Sequence, residues 1–513
     1  MKRMLLPTIL CVCSHASAVL SQSVGAEAGD RYQIGTPILT DLWVDPVRGQ
    51  DARPGATRAE ALRTLREAWN RIPAGAPLTA TGYRIKLVAG RYPAQALPDD
   101  GWMDSRQGTY RCPIIIQAAD GRNTATLEGW LNFSNCAYVY LVDFNVVPRP
   151  AGDALHAERC DHLLMRGMVL NGGGRADQTV KVNQCQYVYL EDCEACGASD
   201  TAVDFVAVRY GQIVGNRIHD AADWCLYLKG GSAYFRVEGN ELYNGATGGF
   251  SAGQGTGFEF MVSPWLHYEA YDIKFVNNVV HDTQGAGMGV NGGYNILLAY
   301  NTLYRVGRQS HLIEVVFGQR GCDGDRDRAA QNLAAGGWGT TAADPKQPIP
   351  DRNVFIYNNL VYNPRGYQSQ WKHFAIYGPQ TPTRGSNIPS PAQTDTNLQI
   401  RGNIIWNGPP THPLGIEEAD QGCQPSNPTC NAARLRAENA INTIEPQLVN
   451  PSRGDFHPVS GGNVFRAAAL AIPDFTWADA PSRPAVPGGT LINRVPNSRD
   501  GTSRAWPGHP GAY

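Results

Sequence analysis

Two stretches of this chain superpose without a gap. His219-Asp220 leads through Trp224, Leu226 and Leu228 to Lys229-Gly230-Gly231, and His281-Asp282 leads through Met288 and Val290 to Asn291-Gly292-Gly293. Further short β-like pieces recur at 138–141, 162–165, 187–190, 210–214, 234–237 and 271–275, with later copies opening at Tyr294, Asn353 and Leu398. Openings at Tyr138, His162, Tyr187, Tyr210 and Tyr234 lie 23 to 25 residues apart. Later copies each run into an Asn: Asn216, Asn240, Asn278, Asn301, Asn359 and Asn403. A β-period of roughly 20–50 residues is the mark of a solenoid, in which neighbouring coils bury a core that no coil could bury alone. Wider gaps between copies must hold inserted loops.

The 513 residues therefore need not mean several domains, because a solenoid grows by adding coils. Met1-Lys2-Arg3, the apolar run 4–13 and Ala16-Ser17-Ala18 match the three regions of a secretory signal peptide, so 1–18 should be removed and the rest exported. No later apolar run is long enough to cross a membrane as a helix. Two of the 12 cysteines fall in that signal; Cys423 and Cys430 bracket a Pro/Asn loop as a disulfide pair. Cys136, Cys160 and Cys185 precede successive coil openings by two residues, which predicts either a buried thiol ladder or one bridge plus a free thiol. A net charge of -2 with no basic stripe argues against nucleic acid as a partner. A monomer is expected.

Ahead of the coils, 57–72 carries Leu62, Leu65, Ala68, Trp69 and Ile72 at helical spacing. Thr57 is its expected N-cap and Glu60 stands three residues on. Such a helix should close the open end of the core. The order expected is leader and cap over 19–80, coils over 81–410 with inserted loops at 244–268, 318–351 and 378–396, and a loop-rich tail over 411–513. Trp43-Val44-Asp45-Pro46, Gly49-Gln50-Asp51, Pro54-Gly55, Arg63-Thr64-Leu65, Ala68 and 87–92, together with the ending Pro510-Gly511-Ala512-Tyr513, resemble the cap and ending of right-handed parallel β-helix proteins of the pectin-lyase-like class. The resemblance implies an all-β fold, a single-stranded right-handed parallel β-helix with an N-terminal capping helix. It also implies secreted polysaccharide lyases as the nearest functional type, although the same scaffold hosts other activities.

Strand alternation sets two outward columns. Counted from each coil's Asn, one column reads His156, Thr179, Asp204, Tyr227, Gly289 and Leu312. The other reads Glu158, Lys181, Val206, Lys229, Asn291 and Glu314. An insertion breaks the count between Lys229 and Asn291, and Glu259 is taken to fill that coil. Nearby glycines (Gly230, Gly231, Gly289, Gly292, Gly293) would admit a ligand to the backbone, and Trp224, Trp265 and Tyr227 could stack on sugars.

A wall of acids, bases and amides suits β-elimination on a uronate polymer, which needs a base and positive charge on the carboxylate. Several Ca²⁺-dependent lyases of the resembled class use a strand-borne Lys or Arg as base, with Asp, Glu or Asn holding Ca²⁺. This implies Lys229, with Lys181 and Tyr227, as the catalytic set. It implies Asp204, Glu259 and Glu314 as metal ligands, and His156, Glu158, Trp224, Asn291 and Trp265 as substrate-binding residues, with an acidic polysaccharide as partner. For Lys229 the plain alternative is a salt bridge to Asp204 or Glu259. A glycoside hydrolase would need two carboxylates about 5–9.5 Å apart, for which Glu259 and Glu314 are the candidates. A non-catalytic carbohydrate-binding protein is the third reading. Asp323-Gly324-Asp325-Arg326-Asp327 begins like a calcium loop but fails at its later positions, Arg328 and Ala334, and reads as a solvated charged loop. His267, His281 and His311 share no ligand spacing and read as turn or core residues.

Overall fold

The computed structural model describes residues 31–475, 493–505 and 508–513, so the expected signal peptide at 1–18 lies outside the described residues. The chain winds into an all-β solenoid with three faces, each a ladder of parallel strands. The first face is a 12-stranded sheet running from Leu39–Val44 to Gln399–Arg401. The second runs from Gly90–Tyr92 through Arg217–Ala221, Glu241–Gly245, Val279–His281 and Thr302–Tyr304 to Ala440–Ile441. The third runs from Trp102–Asp104 through Leu131–Ser134, Leu155–Glu158, Trp224–Lys229, Gly248–Gly253, Ala286–Asn291 and His311–Val316 to Lys372–Ile376. Two long strands, Val169–Asn183 and Glu194–Val206, bend across a corner and serve both the second and third faces. One apolar core fills the interior, with Leu226, Leu228, Met288 and Val290 fully buried in it.

The asparagines at the coil ends form a buried ladder. Asn240 Oδ1 accepts both the backbone N–H and the side-chain Nδ2 of Asn216, each at 2.9 Å. The same pair of bonds repeats at Asn278, Asn301, Asn359, Asn403 and Asn439. Each amide thus satisfies backbone groups at a corner where the sheet ladder cannot. The coil-opening residues Tyr138, His162, Tyr187, Tyr210 and Tyr234 all take positive φ. Their rings stack outside the core at 4.1, 4.4, 5.0 and 5.2 Å, and this contact offsets the left-handed backbone. Cys136, Cys160 and Cys185 are buried free thiols in a ladder, and Cys423–Cys430 is a disulfide.

Three expectations need correction. The cap is a 3-10 turn, Arg58–Glu60, followed by a short helix, Leu65–Asn70, whose N-cap is Thr64 and not Thr57. The reason is Leu62, which bridges to Val44, and Asp51, whose carboxylate takes the backbone N–H groups of Arg63 and Thr64; together they hold 61–64 extended. Leu65, Ala68, Trp69 and Ile72 do close the core. Secondly, Glu241–Gly245 and Gly248–Gly253 are coil strands, so the first insertion starts after Gly253 instead of at 244. Thirdly, the coils extend past 410 to Ala440–Ile441.

Candidate functional site

All three insertions leave the third face at the same corner, after Gly253, Val316 and Ile376. They brace one another there: buried Arg320 pairs with buried Glu269, and Asn332 Nδ2 donates to Phe258 O at 2.7 Å. They leave the front of the third face, with its two outward columns, as the place where chemistry can be assembled.

The register defines those columns. One runs Trp102, Asn132, His156, Lys181, Asp204, Tyr227, Ser251, Gly289, Glu314. The other includes Glu158, Asn183, Val206 and Lys229, and further along Gly253 and Asn291. Lys181 therefore stands between His156 and Asp204, and Glu314 follows Gly289, each in the column opposite to that expected. Thr179 is buried and its hydroxyl donates to Cys196 O, whereas Leu312 belongs to the core. The displacement has a cause in each coil. Irregular pairing between Asn171 and Gln178 absorbs extra residues, and Ile313 follows Tyr304 by nine residues where its partner Met288 follows His281 by seven.

Lys181 Nζ pairs with Asp204, whose side chain is fully buried. Lys229 is not in that ion pair. Its Nζ lies 3.3 Å from Gln254 Oε1, 3.4 Å from the Tyr227 hydroxyl and 4.4 Å from the centre of the Tyr227 ring. Among the described residues Lys229 forms no salt bridge to Asp204 or Glu259. Burial pushes the Tyr227 phenol well above its ordinary range, and Asp204, Asp200 and Asp223 around it push the same way. Burial and the neighbouring Asp200 carboxylate also raise Asp223. Thr201 Oγ1 lies 3.4 Å from Asp200 and 3.5 Å from Asp223, and Gln178 Nε2 donates to Asp200 at 2.9 Å. His156 touches Asn183 Nδ2 at 3.2 Å, and burial lowers its pKa. Burial thus disfavours the charged imidazolium.

Several expected site residues stand elsewhere. Glu259 lies in the 3-10 turn Phe258–Phe260 of the first insertion, and its two oxygens accept the N–H groups of Asp323 and Asp325 at 3.2 Å. It is off the wall, so it neither joins Asp204 nor forms a carboxylate pair with Glu314. Asp325 in turn N-caps the helix Arg326–Ala334, which accounts for the charged loop. Trp265 is buried against Tyr234 and Tyr271, and Trp224 lies so close over Gly248 that a Cβ there would stand 2.3 Å from its ring. Neither indole offers a free face. Nor do the glycines open the backbone to a ligand: Gly292 and Gly293 donate to Asp351, and Glu314 folds across Gly289. Asn291 Oδ1 accepts from Ser251 at 3.1 Å, and Glu314 pairs with His311 at 2.9 Å. The sequence reading missed Asp200 and Asp223 because they sit at the strand entry, outside the counted positions. It missed Ser251 and Gln254 because their coil was assigned to the insertion.

A family model described as "Right handed beta helix region" matches residues 152–322. The chain folds as a right-handed parallel β-helix. No curated protein sequence matches it. Among solved structures, this β-helix resembles a rhamnogalacturonan lyase (12% identity, TM-score 0.42, 71% of this chain and 87% of that one). It also resembles a pectate lyase, Pel9A (12%, 0.40, 88% and 97%), and a tailspike protein, Dettilon gp208 (10%, 0.39, 72% and 66%). At these values the likeness concerns the fold alone.

On the β-helix wall, then, two ammonium groups, a buried phenol and three carboxylates gather on neighbouring coils. Among the described residues, Asp204 Oδ1 is buried with no hydrogen-bond partner. A buried carboxylate oxygen left so is costly unless a cation or donor reaches it. Asp200, four residues before Asp204 on the same strand, and Asp223 flank the Thr201 hydroxyl. Among the described residues, the His, Cys, Asp and Glu side chains whose ligand atoms gather within 4.8 Å of one another are Glu194, Cys196 and His219 instead. No helix among the described residues is long and apolar enough to cross a membrane.

Proposed function

We propose that the protein is a polysaccharide lyase that cleaves a uronate-containing polymer by β-elimination, with Lys229 as base. The observation carrying this reading is the position of Lys229, beside the Tyr227 hydroxyl and clear of any carboxylate pair. In this reading the proton α to the uronate carboxylate passes to Lys229 Nζ. Its electron pair forms the new C4–C5 double bond, and the C4–O bond breaks. The departing oxygen takes the proton of Tyr227, which burial keeps protonated. Lys229, at 3.4 Å, can then return its proton to the phenolate and reset both groups. Lys181, ion-paired to Asp204, lines the sugar track with His156 and Glu158 on the coil before it and Asn291 further along. Asp204, whose Oδ1 is buried without a hydrogen-bond partner among the described residues, would be a ligand of Ca²⁺, which when bound neutralises the uronate carboxylate and acidifies the adjacent C–H. Export through the N-terminal signal peptide belongs to the same reading.

The test is product analysis on pectate, alginate and glycosaminoglycans, with and without chelator. The reading expects an unsaturated end absorbing in the near ultraviolet from at least one of them, diminished by chelator. New reducing ends without that absorbance would make the protein a hydrolase, and binding without turnover would make it a carbohydrate-binding protein.

A further inference from the structure

We propose that Trp102 and Trp130 form a second carbohydrate-binding platform, at the N-terminal end of the third face. It would hold the polymer several sugars away from Lys229. The inference rests on the reading of that face as a polysaccharide site and adds a subsite to it.

Trp102 and Trp130 are 49% and 37% exposed, whereas Trp224 and Trp265 on later coils are buried. Large indoles held at the surface in pairs indicate a ligand more often than a packing role. Trp130 is fixed in place, and Trp102 is set in the outward column by its strand pairing with Asn132. Trp130 Nε1 and Asn132 Nδ2 each donate to Asp100 O at 2.7 Å. Gly101, at φ +67°, lets Trp130 press against the backbone: a Cβ there would lie 2.7 Å from the indole Cδ1. The Trp130 ring is thus pre-organised, and little of its side-chain entropy remains to be lost on binding.

The platform is also in register with the chemistry. Trp102 pairs with Asn132, Asn132 with His156, His156 with Lys181, Lys181 with Asp204 and Asp204 with Tyr227. Five steps of about 4.8 Å give ~24 Å, roughly the length of four or five sugar residues. Between the two ends the side chains of this column, Asn132, His156, Lys181 and Asp204, are polar, with Val206 in the column beside them. Of the carboxylates around the tryptophans, Asp99 pairs with Arg66, Asp104 with Arg106, and Glu128 with Arg91 and Arg149, while the exposed Asp100 carboxylate has no ion pair among the described residues. The platform therefore recognises the apolar faces of sugar rings and contributes a component of binding that salt does not screen.

The experiment measures binding in a Lys229→Met background, where polymer is not consumed. Titrations use pectate, alginate, hyaluronan and neutral xylan at low and high salt, comparing that parent with Trp102→Ala/Trp130→Ala. Trp102→Tyr/Trp130→Tyr, which keeps the ring faces, controls for folding. The expected result is a roughly ten-fold or greater rise in Kd for polymer, equal at both salt levels and largely restored by the tyrosines. The loss should be confined to chains longer than about five residues, the span set by the strand spacing. An unchanged Kd on every polymer that the parent binds overturns the platform and leaves the lyase reading intact. Loss on xylan, with no acidic polymer bound by the parent, keeps the platform and contradicts the uronate reading. A parent that binds no polymer overturns both.

Discussion

Lys229 and Lys181 have the same functional group and different surroundings. Lys181 is committed to Asp204; Lys229 faces a phenol, a side-chain amide and solvent. Replacing Lys229 by Met should therefore lower kcat by about 10²–10⁴ with little change in stability, as removal of a general base does. Replacing Tyr227 by Phe should also lower kcat, because the leaving oxygen loses its proton source. Asp204→Asn has a different signature. It removes charge from the proposed cation site and from the Lys181 pair, so the calcium concentration giving half-maximal activity should rise at least ten-fold. Isothermal titration with Ca²⁺ reads the same change without substrate. If the Asn variant kept the wild-type calcium dependence, Asp204 would not be a metal ligand.

At the scale of the elements, the ladders on the coil corners hold the wall in place. Asn278→Ala would strand the backbone N–H of Asn240 in a buried corner and take the Nδ2 donor from Val237 O, while Asn301 Oδ1 keeps the backbone N–H of residue 278. It should cost about 1–3 kcal/mol, read from the midpoint of denaturant unfolding. A second ladder carries pH dependence. His281 lies between Asp282 at 2.7 Å and Glu241 at 3.2 Å, stacked on Tyr243. Burial opposes its charge, but the two carboxylates outweigh burial and raise its pKa above 6.5. Burial likewise opposes ionised Glu241, and His281 outweighs it, lowering Glu241 from 4.5 to about 2. The raised histidine stabilises fully below 6.5 and loses that contribution as pH rises through its folded value. The lowered Glu241 stabilises fully above 4.5 and loses it as pH falls toward 2. The Tm difference between wild type and Glu241→Gln should thus be greatest between pH 4.5 and 6.5 and shrink on both sides. A difference independent of pH would deny the pair this role.

For the whole molecule, what the sequence made legible was whatever repeats. The Asn corners, the stacked openings and the apolar alternation of Leu226/Leu228 and Met288/Val290 recur in coil after coil, so the solenoid and its capped end could be read directly. Where the count slipped, the chain had added residues locally: in the turn between Asn171 and Gln178, and before Ile313. A slip of two residues keeps a side chain on the outward face but moves it to the other column, and this is what happened to Lys181 and Glu314. Glu259 was misplaced because a coil of small residues, Gly248–Gly253, carries no periodic apolar signal and looked like loop. Asp200 and Asp223 escaped because a strand entry has no period to reveal it. The placement of Lys229 beside Tyr227 followed from parity alone, since residues two apart on a strand share a face.

The most direct test of the account is the near-ultraviolet absorbance of the products formed from a uronate polymer by wild type and by Lys229→Met, with equal folding shown by circular dichroism. The account predicts absorbance growing with time for wild type and a rate lower by about 10²–10⁴ for the variant. Absorbance growing equally fast in both would remove Lys229 from the chemistry.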